Sequence, residues 1–164
     1  MIQKKICMMG AYGTGKTSLV RRFVESLFDE RYHTTVGVRI DKKILTVDRT
    51  AMMLIIWDLA GGDEMEMPRT SHLRGASGYI VVVDGCRGWT LARARALQEQ
   101  ISADFGELPH VVAVNKTDLR DLWEVDGLEP LGGDSKNVFF TSAKTGDSVQ
   151  EMFESLATKM LVEP

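Results

Sequence analysis

Along the chain, apolar runs of strand length alternate with segments whose apolar residues recur at helical spacing. Ile6-Cys7-Met8-Met9 is an unbroken run, and Leu19, Val20, Phe23, Val24 and Leu27 then fall on one face of a 3.6-residue period. Phe28 to Gly37 is polar with little periodicity and predicts a long loop. Val38 to Val47 mixes Val38, Ile40, Ile44, Leu45 and Val47 with charges, as a strand with one wet face does. Asp48-Arg49-Thr50 can turn it back into the apolar run Met52 to Trp57, making a hairpin. Asp58 ends that run, and a charged, Met-rich stretch continues to Arg74. Tyr79 to Val83, closed by Asp84, predicts a buried strand, and Leu91, Ala94, Leu97, Gln98 and Ile101 a helix reaching Phe105. His110 to Val114 is the next strand and ends at Asn115. Between Leu119 and Lys136 the pattern weakens, because Gly127, Pro130 and Gly132-Gly133 interrupt any helix. Val138 to Phe140 is a short last strand, followed by an amphipathic helix marked by Val149, Met152, Phe153, Leu156 and Met160. Buried strands alternating with helices specify an α/β fold: a doubly wound, mostly parallel six-stranded sheet with one antiparallel edge strand from the hairpin and helices on both faces.

Composition narrows the function classes. With 164 residues and 44% hydrophobic content, the expectation is one compact domain over residues 1–164 with a genuine core. A net charge of -3 gives no general attraction to nucleic acid or to an anionic membrane. Lys4-Lys5, Arg21-Arg22 and Lys42-Lys43 are short pairs that read as solvated edges. Cys7 and Cys86 lie in or beside apolar runs and read as small core residues in a reducing compartment, not as a disulfide. The apolar run after Lys4-Lys5 is too short for a signal peptide, and no stretch approaches membrane-spanning length. There is no early glycine context for myristoylation, Gln3 occupying that region, and no terminal cysteine to prenylate. These features predict a cytoplasmic domain with no direct membrane anchor and no nucleic-acid partner.

Candidate chemistry begins between the first strand and the first helix. Gly10-Ala11-Tyr12-Gly13-Thr14-Gly15-Lys16-Thr17 fits G-x-x-x-x-G-K-[ST], the loop that wraps phosphates with backbone N–H groups. The helix dipole and its unpaired N–H groups favour an anion there, and Gly10, Gly13 and Gly15 allow the backbone to turn and approach it. Lys16 can reach β/γ-phosphates and the Thr17 hydroxyl can ligate Mg²⁺, so this is a P-loop NTPase pattern. Tyr12, Thr14 and Ser18 complete the candidate phosphate contacts.

Further motifs sit at the ends of later strands: Asp58-Leu59-Ala60-Gly61, Asn115-Lys116-Thr117-Asp118 and Thr141-Ser142-Ala143-Lys144. In order and spacing, with the glycine loop, they closely resemble the Ras/Rab-type small GTPases. The resemblance covers nearly the whole chain, is strongest from Lys5 to Ala76 and from Val111 to Phe153, and is weak from Leu119 to Lys136. Guanine presents donors at N1 and N2, and an ionised Asp118 can accept both in a charge-assisted pair, where adenine would leave it facing no donor pair. Sites built this way reject the wrong partner by about 10⁴–10⁵. The resemblance implies GTP/GDP as ligand with Mg²⁺. In that picture Asn115 ties the base loop to the phosphate loop, Lys116 lies along the ring face, and the Ala143 N–H, flanked by Ser142 and Lys144, meets guanine O6. It also implies a first switch with Phe28 edge-on to the guanine, Tyr32 closing over the phosphates, and Thr35 on Mg²⁺ and the γ-phosphate. Thr35 is chosen over Thr34 by the register of Thr35-Val36-Gly37-Val38. Asp58 would hold Mg²⁺ through a water and Gly61 would give its N–H to the γ-phosphate. By this carry-over Lys16, Thr35 and Gly61 are the catalytic candidates, and Thr17, Thr35 and Asp58 the metal candidates. Loss of the γ-phosphate would release both loops, and effectors and regulators would read residues 28–40 and 60–75.

Two positions depart from the Ras pattern. Gly62 stands where those enzymes carry the glutamine that orients the attacking water, and Tyr12 stands where Ras has glycine, crowding the entry of a partner's arginine finger. The expectation is slow GTP hydrolysis, with Asp63, Glu64, Arg69 and His72 as candidates for a group supplied in cis. The alternative is a nucleotide-bound scaffold that scarcely turns over. A P-loop ATPase or small-molecule kinase would share Gly10 to Thr17 but has no need of Asn115-Lys116-Thr117-Asp118. Met65 and Met67 either offer an adaptable effector surface or tuck under their loop. Trp57 is expected to pack on the sheet, and His33, His72 and His110 have no metal-ligand spacing. By resemblance, the lack of a lipidation signal and the terse loops suggest a prokaryotic member.

Overall fold

The structure is a computed structural model, and it describes residues 1–26, 37–60, 70–126 and 135–162. A six-stranded sheet runs in the order β2-β3-β1-β4-β5-β6. Here β1 is Ile2–Gly10, β2 Val38–Val47, β3 Thr50–Leu59, β4 Gly78–Asp84, β5 His110–Asn115 and β6 Val138–Thr141. Only β2 is antiparallel, paired to β3; every other neighbouring pair is parallel. Among the described residues, three α-helices, α1 (Lys16–Glu25), α2 (Trp89–Phe105) and α3 (Val149–Val162), cover the two faces.

The side-chain alternation of β1 divides the core. Ile6 and Met8 point to the layer of α1 and α3, joining Leu19, Phe23, Phe153 and Leu156. Cys7 and Met9 point to the other layer and meet Leu97 and Ile101 of α2. Every residue of β4 is buried, which is why its sequence is a continuous apolar run and not an alternation. The Phe23 and Phe153 rings stack with centroids 4.0 Å apart and clamp α1 to α3.

The expected hairpin is present, with Val47 opposite Thr50. Asp48 (φ 47°) and Arg49 (φ 66°) both adopt positive φ, the twist that a two-residue hairpin loop demands. Strands extend beyond their apolar runs: polar Gln3 to Lys5 pair with Met53 to Ile55, and β3 continues through Asp58 to Leu59. Ladder hydrogen bonds come from backbone, so pairing outlasts the hydrophobic signal. α1 closes at Glu25 with Ser26 in a left-handed conformation, and Leu27 lies outside the described residues. In the weakly patterned region, Thr117–Leu122 forms a short 3₁₀ segment kinked at Leu119, and Ser135–Asn137 forms another.

Cys7 is buried, and that burial pushes its thiol up to about 12. Cys86 is not a core residue as its apolar surroundings suggested. It sits half-buried on the turn after β4, because the apolar run ends with the strand while the chain has already left the sheet. Both cysteines are free thiols. Among the described residues, no helix is long and apolar enough to cross a membrane.

Candidate functional site

The loop from Gly10 to Gly15 leaves the carboxyl end of β1 and enters α1 at Lys16. Gly10 has φ 142°, and a Cβ there would lie 2.6 Å from the Val82 carbonyl oxygen, so only glycine lets β1 close on β4 at this point. The loop's carbonyls are gripped by side chains. Lys16 Nζ donates to the carbonyls of Gly10 (3.2 Å) and Ala11 (2.9 Å). Arg87 donates to Tyr12 (2.6 Å), Lys116 to Gly13 (3.1 Å) and Asn115 Nδ2 to Thr14 (3.0 Å). A trans peptide points its N–H opposite its C=O, so the grips on Tyr12, Gly13 and Thr14 turn the N–H groups that follow those carbonyls away from the gripping side chains. Lys16 is 6% exposed, and its burial lowers its pKa to about 8; Asp58 acts against that shift and Arg87 with it.

Thr17 and Asp58 meet at the start of α1. The Thr17 hydroxyl donates to Asp58 Oδ2 at 2.5 Å. Asp58 is fully buried, and its Oδ1 has no hydrogen-bond partner among the described residues. Burial pushes its carboxyl above the ordinary range, with the Thr17 hydroxyl and then Lys16 pulling it back. A buried, orphaned carboxylate oxygen beside a hydroxyl oxygen is a donor set that fits a hard divalent cation such as Mg²⁺.

The second half of the site is built on β5 and β6. Asn115, 2% exposed, is held at both ends: its Nδ2 donates to Thr14 and its Oδ1 accepts from the Thr141 hydroxyl at 3.0 Å. Lys116 takes a left-handed conformation (φ 80°), which sends its ammonium back over the phosphate loop and to Asp84 Oδ2 at 2.7 Å. Its carbonyl accepts from Trp123 Nε1 at 2.8 Å. The Trp123 ring lies on Gly85, where a Cβ would sit 2.1 Å from it. Asp118 accepts from the Ser142 hydroxyl at 2.7 Å, and Ser142 Oγ in turn accepts from the Thr145 N–H. Ala143 is buried; its carbonyl and that of exposed Lys144 both accept from the Arg22 guanidinium, stitching the loop after β6 to α1.

Gly10, Tyr12, Gly13, Thr14, Gly15, Asp58, Asn115, Lys116, Asp118, Ser142, Ala143 and Lys144 thus belong to the carboxyl edge of the sheet or the segments leaving it, and Lys16, Thr17 and Ser18 to the first turn of α1. Phe28, Tyr32, Thr35, Gly61, Gly62, Asp63, Glu64, Met65, Met67 and Arg69 lie outside the described residues. His72 packs against the Trp57 ring and accepts from the Cys7 thiol through its carbonyl. Trp57 packs on the sheet as expected, beneath the Lys5 ammonium. Arg22 corrects the solvated-edge reading, since a single sequence carries no mark of the carbonyls that will fold against it. Asp84, read only as the end of its strand, and Arg87 were missed as site residues. Their signal was an acid and a base three residues apart at the carboxyl end of a buried strand, where ligands of such sheets bind.

Comparison with known proteins identifies the family. Residues 5–162 match the family model described as the Ras family. The chain is 34% identical over 165 residues to the Ras-related protein Rab-18-B of Danio rerio, covering 98% of this chain and 80% of that protein. It is 32% identical over 168 residues to the GTP-binding protein ypt5 of Schizosaccharomyces pombe, covering 99% of this chain and 80% of the relative. It is also 32% identical over 163 residues to the Ras-related protein Rab5 of Nicotiana tabacum, covering 97% and 82%. With the fold, the strand-end motifs and these matches in agreement, the chain belongs to the Ras family and is a Rab-like small GTP-binding protein.

Proposed function

We propose that residues 1–164 act as one cytoplasmic switch domain that binds GTP or GDP with Mg²⁺ and hydrolyses GTP slowly. Asp118 accepts the N1 and N2 donors of guanine, the Ala143 N–H meets O6, and Lys116 lies along the ring. Lys16 and the loop amides hold the β- and γ-phosphates. Thr17 and Asp58, with Thr35, hold Mg²⁺, which when bound neutralises charge on the phosphate oxygens. Phe28 and Tyr32 close on the nucleotide, the Gly61 N–H faces the γ-phosphate, and effectors and regulators read residues 28–40 and 60–75.

The observation that carries this reading is the Asn115 clasp. It joins the carbonyl of Thr14 in the phosphate loop to the hydroxyl of Thr141 beside the base loop, which supports a reading in which the two loops work as one frame. Slow turnover is supported by Tyr12, whose residue is 39% exposed on the phosphate loop, and by Gly62 in place of the water-orienting glutamine.

The test is competition against a fluorescent GDP. GTP displaces it, while ATP is weaker by on the order of 10⁴-fold. ATP competing at similar concentration refutes the guanine reading. In the same preparation, single-turnover assays with excess protein yield phosphate over hours; none over a day refutes hydrolysis and leaves the nucleotide-bound scaffold.

A further inference from the structure

Arg87 belongs to none of the motifs, yet it reaches the middle of the phosphate loop. We propose that Arg87 is a positioning residue, braced on Asp84, that pins the Tyr12 carbonyl and holds the loop in its phosphate-receiving shape. The proposal rests on the guanine-nucleotide reading above and adds to it a device for retaining the phosphates.

The brace is built from β4 outward. Asp84, 1% exposed at the strand end, accepts the Cys86 N–H on Oδ1 at 2.8 Å. Its Oδ2 accepts Arg87 Nε at 2.8 Å and Lys116 Nζ at 2.7 Å. The turn that carries Arg87 is itself fixed. The buried Thr90 hydroxyl accepts from the Asp84 N–H (2.9 Å) and donates to the Arg87 carbonyl (2.7 Å). The Gly85 N–H is tied to the Asn115 carbonyl at 3.1 Å. The guanidinium also lies over the Trp89 ring, 5.3 Å from its centroid. Arg87 therefore leaves its brace in a set direction, and its outer nitrogen meets the Tyr12 carbonyl at 2.6 Å.

Two consequences follow for a bound nucleotide. Arg87, Lys116 and Asn115 hold the consecutive carbonyls of Tyr12, Gly13 and Thr14. Lys116 and Asn115 come from the base-reading motif, so Arg87 adds the grip at Tyr12 that this motif does not reach. One carboxylate shared by two cations also leaves a net positive charge beside the loop, in a partly buried setting where screening is reduced. The Arg87 charge also acts, after burial, to disfavour protonation of Lys16.

The test measures release of fluorescent GDP from the Mg²⁺-loaded full chain after a chase with excess GDP, and competition by GMP at high concentration. GMP keeps the base but lacks the phosphates that the loop wraps. Arg87→Ala is expected to speed GDP release about 10–100-fold, as loss of a charge-assisted grip would, while weakening GMP less than about 2-fold. Arg87→Lys, which keeps a donor for both Asp84 and Tyr12, recovers most of the slow release. An unchanged release rate overturns the proposal, as does an equal loss for GMP and GDP or a Lys variant no better than Ala. If the unmodified protein binds no guanine nucleotide, the underlying reading fails and the inference with it.

Discussion

Gly15 offers a quantitative check on the clasp between the two halves of the site. It adopts φ 100° and ψ 21°, and a Cβ there would lie 2.3 Å from Asn115 Nδ2. Gly15→Ala therefore carries two separable costs. A left-handed conformation costs an alanine about 1–2 kcal/mol. The new methyl also drives the Asn115 amide away from Thr14 and Thr141, both fully buried, and a buried group left without its partner costs about 1–3 kcal/mol. The single variant should lose about 2–5 kcal/mol of unfolding free energy. In an Asn115→Ala background the clash has no target, and Gly15→Ala should cost only the backbone term of about 1–2 kcal/mol. The double variant should thus be more stable than the sum of the singles predicts, by about 1–3 kcal/mol. Urea melts followed by tryptophan fluorescence measure this on protein stripped of nucleotide, so that ligand linkage does not enter. Additivity within about 0.5 kcal/mol would show that Gly15 and Asn115 do not meet, and would refute the reasoning.

Gly85→Ala forces the Trp123 ring off β4 and breaks its bond to the Lys116 carbonyl; a loss of about 1–3 kcal/mol and a shifted tryptophan emission are expected, and an unchanged spectrum refutes the packing. Burial raises the Cys7 thiol from 9.0 to about 12, so the native state resists an ionisation that the unfolded chain accepts. That contribution is complete below pH 9 and is lost between pH 9 and 12, at most about 4 kcal/mol. Tyr79, raised by burial and then by Glu107, adds to the same alkaline slope from above its ordinary pKa of 10.0. Urea midpoints against pH for the unmodified chain and Cys7→Ala isolate the cysteine share; identical slopes would show that Cys7 contributes none.

Much of the site was legible because its signals are local. The glycine loop needs its residues contiguous, since the turn, the close approach and the helix start occupy one short segment. Asn115-Lys116-Thr117-Asp118 and Thr141-Ser142-Ala143-Lys144 follow buried runs directly, so their place at strand ends could be read from hydrophobicity alone. The misreadings concern residues whose partners are remote. Cys86 looked like core because it lies beside the apolar run that ends at Val83, and Arg22 looked like a solvated edge because its acceptors lie 121 and 122 residues away.

By itself, the sequence determined the strands and helices, the family, and the strand-end motifs that make up the candidate site, because periodicity and contiguous motifs are properties of neighbours along the chain. The tertiary structure decided how those parts hold one another. Asn115 meets Thr14 across 101 residues and Arg87 meets Tyr12 across 75. Both contacts exist only because β1 lies beside β4, and β4 beside β5, in register. Strand order is set by which faces can be buried together, a global balance of packing that no local window of sequence contains.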